Sequence, residues 1–387
     1  QLSATHIDIV DHDGNPVRRD PYPAHSADQL PHFMLKEIHA QARHCAEYIH
    51  HANAKQLESW LKTPSLLADV QSVLLLASGS SHHAAECARF WLESWSGIPT
   101  QVELASEYRY RENLSEIHHQ TLVVAISQSG ETADTLAALK HAQQLGHTLT
   151  LAISNRGNSS LMQAADLQMN LRAGDELSVT STKTFTAQLL ALFLLAEHLA
   201  LSRQKAANAQ RSAELLKLPG AIAAVLALTP QLKEWAQYLS NKPHLFFTAR
   251  HMYYPIAMEG ALTLKEVGYL HAEAYPSGEL KHGPLTLVDA NLPVIACLPW
   301  DALAEKMLAN LYEVRSKQGE IFALSDAILP PISGFNTIRM PSKLAHLNPI
   351  LYSVALQLLA YYTATYRGNN VDAPRNISKT IDKEAIV

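Results

Sequence analysis

Apolar runs in the first half of the chain recur in the second at a fixed distance, and a chain that doubles its pattern in this way folds into two similar units. The run 123–126, ending at Ser127, answers 294–297, ending at Leu298, an offset of 298 − 127 = 171 residues. The run 151–155 answers 322–326, and 166–169 answers 337–340, both at the same offset. Beyond them a helix-like stretch around Gln188 answers one around Gln357, where the offset has slipped to 357 − 188 = 169. That slip reads as a small loop deletion after the third strand.

Each half opens on the same unit. Residues 73–94 and 244–266 both run from an apolar strand through a turn into a helix with apolar residues at three-to-four spacing. Short buried-type strands alternating with helices indicate βα units and a parallel sheet covered on both faces. The expected fold class is therefore α/β, with two tandem doubly wound parallel-sheet domains. The boundaries expected are a lead over 1–30, a first domain over 31–205, a second over 206–367 and a polar tail over 368–387. The lead and tail have no core periodicity, so their order must come from docking.

Composition narrows the partners. With 387 residues, 47% of them hydrophobic and 17% charged, the chain has material for more than one core. Its net charge of −5 lacks the basic excess that neutralises nucleic-acid backbones. No apolar run is read as a membrane span, and the N-terminal stretch has neither the basic end nor the apolar core of a signal sequence, so the expected location is the cytoplasm. Cys45, Cys87 and Cys297 lie far apart beside apolar stretches and read as buried free thiols. The opening Gln1 hints at a piece of a longer protein.

In an open parallel sheet a ligand sits beyond the carboxyl ends of the strands. Two serine-rich turns fall there: Ser78-Gly79-Ser80-Ser81 after the strand ending at Ala77, and Ser127-Gln128-Ser129-Gly130-Glu131-Thr132 after the strand ending at Ile126. A third follows at Ser178-Val179-Thr180-Ser181-Thr182-Lys183. Hydroxyls and free N–H groups at helix starts suit a phosphate monoester, although a Ser-x-x-Glu turn also resembles a capping box. No Walker lysine pattern is present, which favours a sugar phosphate over a nucleotide, and no cofactor or metal is expected.

The second half lacks these hydroxyl turns. It carries Glu259, Glu266, His271, Glu273, Lys281 and His282 instead, with Glu259 and Glu266 seven apart on one helical face and Thr263 between them. Carboxylates so spaced are as compatible with a solvated surface as with catalysis. Spacing does not settle these roles.

The segments SGSS, SQSGETADTL, VTSTKTFTAQ, EGALTLKE, HAEAY, GELKHGPL and DAPRNISK occur in the order and approximate spacing of one family. Over residues 31–380 the chain resembles the isomerase portion of the glucosamine-6-phosphate synthases, built from two flavodoxin-like SIS domains and a catalytic tail. The resemblance implies that Ser81, Ser127, Gln128, Ser129 and Thr132 hold the phosphate of fructose 6-phosphate, with Ser80, Val179, Ser181 and Ser378 also binding substrate. It implies three catalytic residues. His282, expected from a neighbouring subunit of a homodimer, opens the furanose ring; Glu266 moves a proton between C1 and C2; Lys379 forms an imine with the open-chain carbonyl. The product is glucosamine 6-phosphate, with ammonia from a glutaminase domain.

The lead 6–19 resembles the end of that glutaminase half, and Cys45 comes too late to be its N-terminal nucleophile, so the glutaminase is expected to be missing from this chain. Two departures stand out: Thr263 where the family usually carries a lysine, and a longer end after Lys379. They keep two other expectations in view, a deaminase or fructosamine-type deglycase of the same fold, and a non-catalytic sugar-phosphate sensor.

Overall fold

A computed structural model describes residues 30–51, 67–112, 120–203, 208–329, 331–341 and 344–378. After helix α1 (Phe33–His51) the first half runs β1 (Ser72–Ala77), α2 (Ser80–Ser96), β2 (Thr100–Leu104), α3 (Ala105–Tyr108), β3 (Thr121–Ser127), α4 (Ala133–Gln144), β4 (Leu149–Ser154), α5 (Ser160–Ala164), β5 (Leu167–Asn170) and α6 (Lys183–Ser202). Two connecting helices follow, α7 (Ala209–Leu226) and α8 (Thr229–Leu239). The second half runs β6 (His244–Ala249), α9 (Tyr254–Gly268), β7 (His271–Pro276), β8 (Pro293–Cys297), α10 (Ala304–Ser316), β9 (Glu320–Ser325), β10 (Phe335–Arg339) and α11 (Asn348–Tyr366).

Both sheets are parallel and have the same winding. The first is ordered β2-β1-β3-β4-β5 and the second β7-β6-β8-β9-β10, so each reads 2-1-3-4-5 and places its switch point between the first and third strands. The expected α/β class with two tandem doubly wound sheets is borne out.

The repeat is real, and its register is corrected in one strand. Leu122 pairs with Leu149 as Pro293 pairs with Glu320, so β3/β8 and β4/β9 keep the offset of 171. Leu151 pairs with Leu167, whereas its counterpart Phe322 pairs with Asn336, so β5 and β10 correspond at 336 − 167 = 169. The two-residue deletion therefore precedes the last strand. A shift of two keeps every side chain on its original face, which is why sequence similarity alone concealed it.

Alternation along the strands divides the interior. Val73, Leu75, Val124 and Ile153 of the first sheet, and Phe247, Ile295 and Leu324 of the second, join one shared core with α1, α2, α6, α7, α9 and α11. The intervening residues Leu74, Leu76 and Val123 pack against α4 and α5, while Val294, Ala296 and Ile321 pack against α10. Cys45, Cys87 and Cys297 are buried free thiols as expected, and burial pushes Cys45 and Cys297 up to about 12.

One expectation needs correcting. Helix α6 is long and apolar enough, by length and composition, to cross a membrane. Seventeen of its 20 residues are buried against the protein interior, so its apolar circumference is met by α2 and by both halves of the shared core. Each fully buried leucine there contributes roughly 1.5–3 kcal/mol.

Candidate active site

The Ser127–Thr132 loop is held by its own side chains. Ser127 Oγ accepts the Gly130 N–H at 3.0 Å and shares a 2.8 Å hydrogen bond with Thr132 Oγ1, and Ser129 Oγ accepts the Glu131 N–H at 3.1 Å. Gly130 has φ +68°, and a Cβ there would lie 2.0 Å from Ser159 Oγ, so this turn admits only glycine. Thr132 precedes α4 without a side-chain capping bond. Gln128, Ser129 and Thr132 remain partly accessible at the sheet's carboxyl edge.

Ser80 and Ser81 open α2, where Gly79 stands at the N-cap and makes no side-chain capping bond. Ser81 is buried and its Oγ accepts Gln188 Nε2 at 2.9 Å, which ties this turn to the core helix α6. Serines at both turns thus do something other than cap α2 and α4, and the helix starts keep N–H groups for an anion.

The third segment is built differently from what its composition suggests. Ser178 is fully buried: its hydroxyl and N–H, and the Leu177 N–H, point to the Glu37 carboxylate of α1. Glu176 Oε1 accepts the Thr182 N–H at 2.9 Å and the Thr184 N–H at 3.2 Å, so a carboxylate already occupies the start of α6. Val179 and Ser181 stay partly accessible.

Helix α9 brings the second half to this edge. Glu259 is 2% exposed and Thr263 is 1% exposed, while Glu266 is partly buried, so the two carboxylates do not form a solvated face. Burial above all, and then the Glu259 charge, raises Glu266 to about 7; Glu176 adds to this, and the nearby Thr180 hydroxyl and Lys265 act against it. Thr180 and Glu176 belong to the first half. The structure therefore brings the segment before α6 up to the helix that carries Glu266.

His282 is exposed in a 3₁₀ turn, Ser277–His282, that follows β7. No hydrogen bond or ion pair among the described residues joins it to Glu266 of its own chain. The turn is seated by Arg250, whose Nη2 donates to Asn310 Oδ1 at 2.6 Å and lies 3.0 Å from where a Cβ on Gly278 would stand. Arg250 occupies the strand end where the first half has Ser78, which explains the missing hydroxyl turn.

The tail folds back onto the body. Asp372 accepts the Phe33 and Met34 N–H groups at 2.9 and 3.0 Å, capping α1, and Asn369 Nδ2 donates to Val267 O at 2.8 Å. Ser378 is exposed at its described end, and Lys379 lies outside the described residues, as does most of the lead expected over 1–30. Sequence reasoning missed Glu37, His83, Glu176, Arg250, Tyr269 and Asp372; all but Glu176 hydrogen-bond to partners distant in the chain. His83, Arg250 and Asp372 lay in segments already singled out, 73–94, 244–266 and DAPRNISK.

Two tandem doubly wound sheets, with hydroxyl-lined helix starts in one half and a carboxyl of raised proton affinity in the other, define a class of two-sheet α/β proteins whose strand-end loops suit an anionic ligand. The chain belongs to the SIS-domain family, whose profile matches residues 66–198 and 238–367. It is 45% identical over 403 residues to the glutamine–fructose-6-phosphate aminotransferase [isomerizing] of Bordetella parapertussis, covering 99% of this chain and 64% of the relative. It is 46% identical over 362 residues to the enzyme of the same name from Acidithiobacillus ferridurans, covering 91% and 59%. Among solved structures, the C-terminal domain of glucosamine-fructose-6-phosphate aminotransferase from Francisella tularensis superposes with a TM-score of 0.86 at 36% identity, covering 90% of this chain and 99% of that one. The chain thus spans less than two thirds of the length of these curated relatives.

Proposed function

We propose that the chain converts fructose 6-phosphate and ammonia to glucosamine 6-phosphate and water, as the isomerising half of a synthase. Ser81, Ser127, Gln128, Ser129 and Thr132 hold the phosphate; Ser80, Val179, Ser181 and Ser378 line the sugar. Lys379 engages the C2 carbonyl of the opened ketose. Glu266 takes a proton from C1 and returns it at C2, so the same carboxyl acts as base and then as acid. The observation that carries this reading is Glu266 raised to about 7, a value suited to both directions of transfer near neutral pH.

His282 opens the ring from the neighbouring subunit of a homodimer, consistent with its exposure and its lack of a tie to Glu266 in its own chain. A glutaminase domain supplies the ammonia, and the cytoplasm is the place of action. The test is an assay of the purified chain with fructose 6-phosphate, with and without ammonium. Glucosamine 6-phosphate, or glucose 6-phosphate without ammonium, is the expected product, and neither forming overturns the reading.

A further inference from the structure

Helix α2 begins at Ser80 and Ser81, and one turn further it reaches across to the second half. His83 Nδ1–H donates to Glu259 Oε2 at 2.8 Å, with the imidazole 13% and the carboxylate 3% exposed. This bond joins the helix that starts at the candidate phosphate turn to the helix that carries Glu266. The other Glu259 oxygen, Oε1, is buried with no hydrogen-bond partner among the described residues. Between Glu259 and Glu266 on the same face stands Thr263, buried and uncharged.

We infer that His83 is a positioning residue for Glu266: by its hydrogen bond to the buried Glu259 carboxylate, it fixes that group on the face of α9 that also carries the proton-carrying side chain. The inference rests on the functional reading above for what Glu266 does, and on geometry alone for the chain of contacts. A buried carboxylate oxygen with a single donor is held in place by that donor, and removing the donor frees the side chain to turn away. Glu259 would then repel charge on Glu266 less strongly. Glu266 faces Glu259 and Lys265 on its own helix and Glu176 from the first half; His83 faces Glu259 across the interface and His82 and Glu86 on its own helix. Burial and then His83 depress His82 to about 4, which leaves it uncharged at neutral pH.

The experiment compares His83→Ala, His83→Asn, Glu259→Gln and the double variant His83→Ala/Glu259→Gln. An asparagine amide nitrogen occupies nearly the place of Nδ1 and can donate the same bond. His83→Ala and Glu259→Gln are expected to lower kcat about tenfold with KM within about twofold, and to move the acid limb of the rate profile to lower pH. His83→Asn keeps most of the turnover, and the double variant behaves as Glu259→Gln alone. An unchanged kcat and limb in His83→Ala, or equal losses in the alanine and asparagine variants, would overturn the inference.

A readout without turnover separates it from the functional reading. The difference in unfolding midpoint between the parent chain and its Glu266→Gln derivative, followed from about pH 5 to about pH 8, reports the titration of Glu266. Its transition is expected to move to lower pH in the His83→Ala and Glu259→Gln backgrounds and to stay in place in His83→Asn. A wild-type chain without turnover sinks the functional reading only, and a transition unmoved in both backgrounds sinks the role of His83.

Discussion

The backbone N–H of Arg375 donates to the phenolic oxygen of Tyr269 at 2.8 Å, and its guanidinium lies 4.3 Å from the centre of the same ring. Tyr269 ends α9 in the left-handed conformation, with φ 53°, and its N–H closes the last turn onto Lys265 O. The tail is thereby fastened to the end of the helix that carries Glu266.

Tyr269→Leu removes both attachments. A hydrogen bond of roughly 0.5–1.5 kcal/mol and an exposed cation–π contact of roughly 0.5–1 kcal/mol are lost together. Turnover is expected to fall at least fivefold, to roughly a fifth or less by that energy, while trypsin cuts after Arg375 faster. Equal cleavage rates in the variant and the parent would count against the tether.

Gly130→Ala tests the proposed phosphate turn. The positive φ and the 2.0 Å approach to Ser159 Oγ leave no room for a methyl group. Strain of about 1–3 kcal/mol must be relieved by moving the loop. Binding of fructose 6-phosphate, measured by calorimetry, is expected to weaken about tenfold or more, with a matching drop in the unfolding midpoint.

Glu266→Gln is expected to lower turnover at least about 100-fold, the usual contribution of a positioned general base or acid. Its effect on stability has a defined sign. Glu266 is raised from 4.5 to about 7, so the stability linked to its proton is complete below about 4.5 and is lost as pH rises through about 7. The glutamine variant therefore gains stability relative to the parent on going from acid to alkaline solution. Parallel thermal melts across that window check it, and a constant difference would contradict the raised value.

The subunit assignment of His282 has its own test. Glu266→Gln and His282→Asn chains, each inactive alone, are mixed after unfolding and refolded together. If sites are shared between subunits, half the dimers are mixed and each holds one site with both residues intact, restoring about a quarter of the parental activity. No recovery would place His282 and Glu266 in the same chain's site.

The destabilising effect of opening the α1 contact provides a last check. Glu37→Ala removes the carboxylate shared by the Leu177 and Ser178 N–H groups and the Ser178 hydroxyl, while the hydroxyl keeps Thr180 O at 2.9 Å. A loss of about 1–3 kcal/mol is expected from the lost bonds to a charged group, and denaturant unfolding measures it.

Local pattern was enough to establish the α/β class, the doubled sheet and the serine turns, because side-chain alternation and strand-turn-helix order are written in neighbouring residues. The same pattern left Glu266 undecided between surface and site. Its proton affinity comes from burial and from Glu259 and Glu176, of which Glu176 lies 90 residues earlier (266 − 176 = 90) and is brought there only by packing of the two halves. The His83–Glu259 bond, the Glu37 clamp and the Arg375–Tyr269 tether likewise join residues far apart in the chain. Desolvation and pairing of this kind depend on which surfaces meet, so only the tertiary structure decided them.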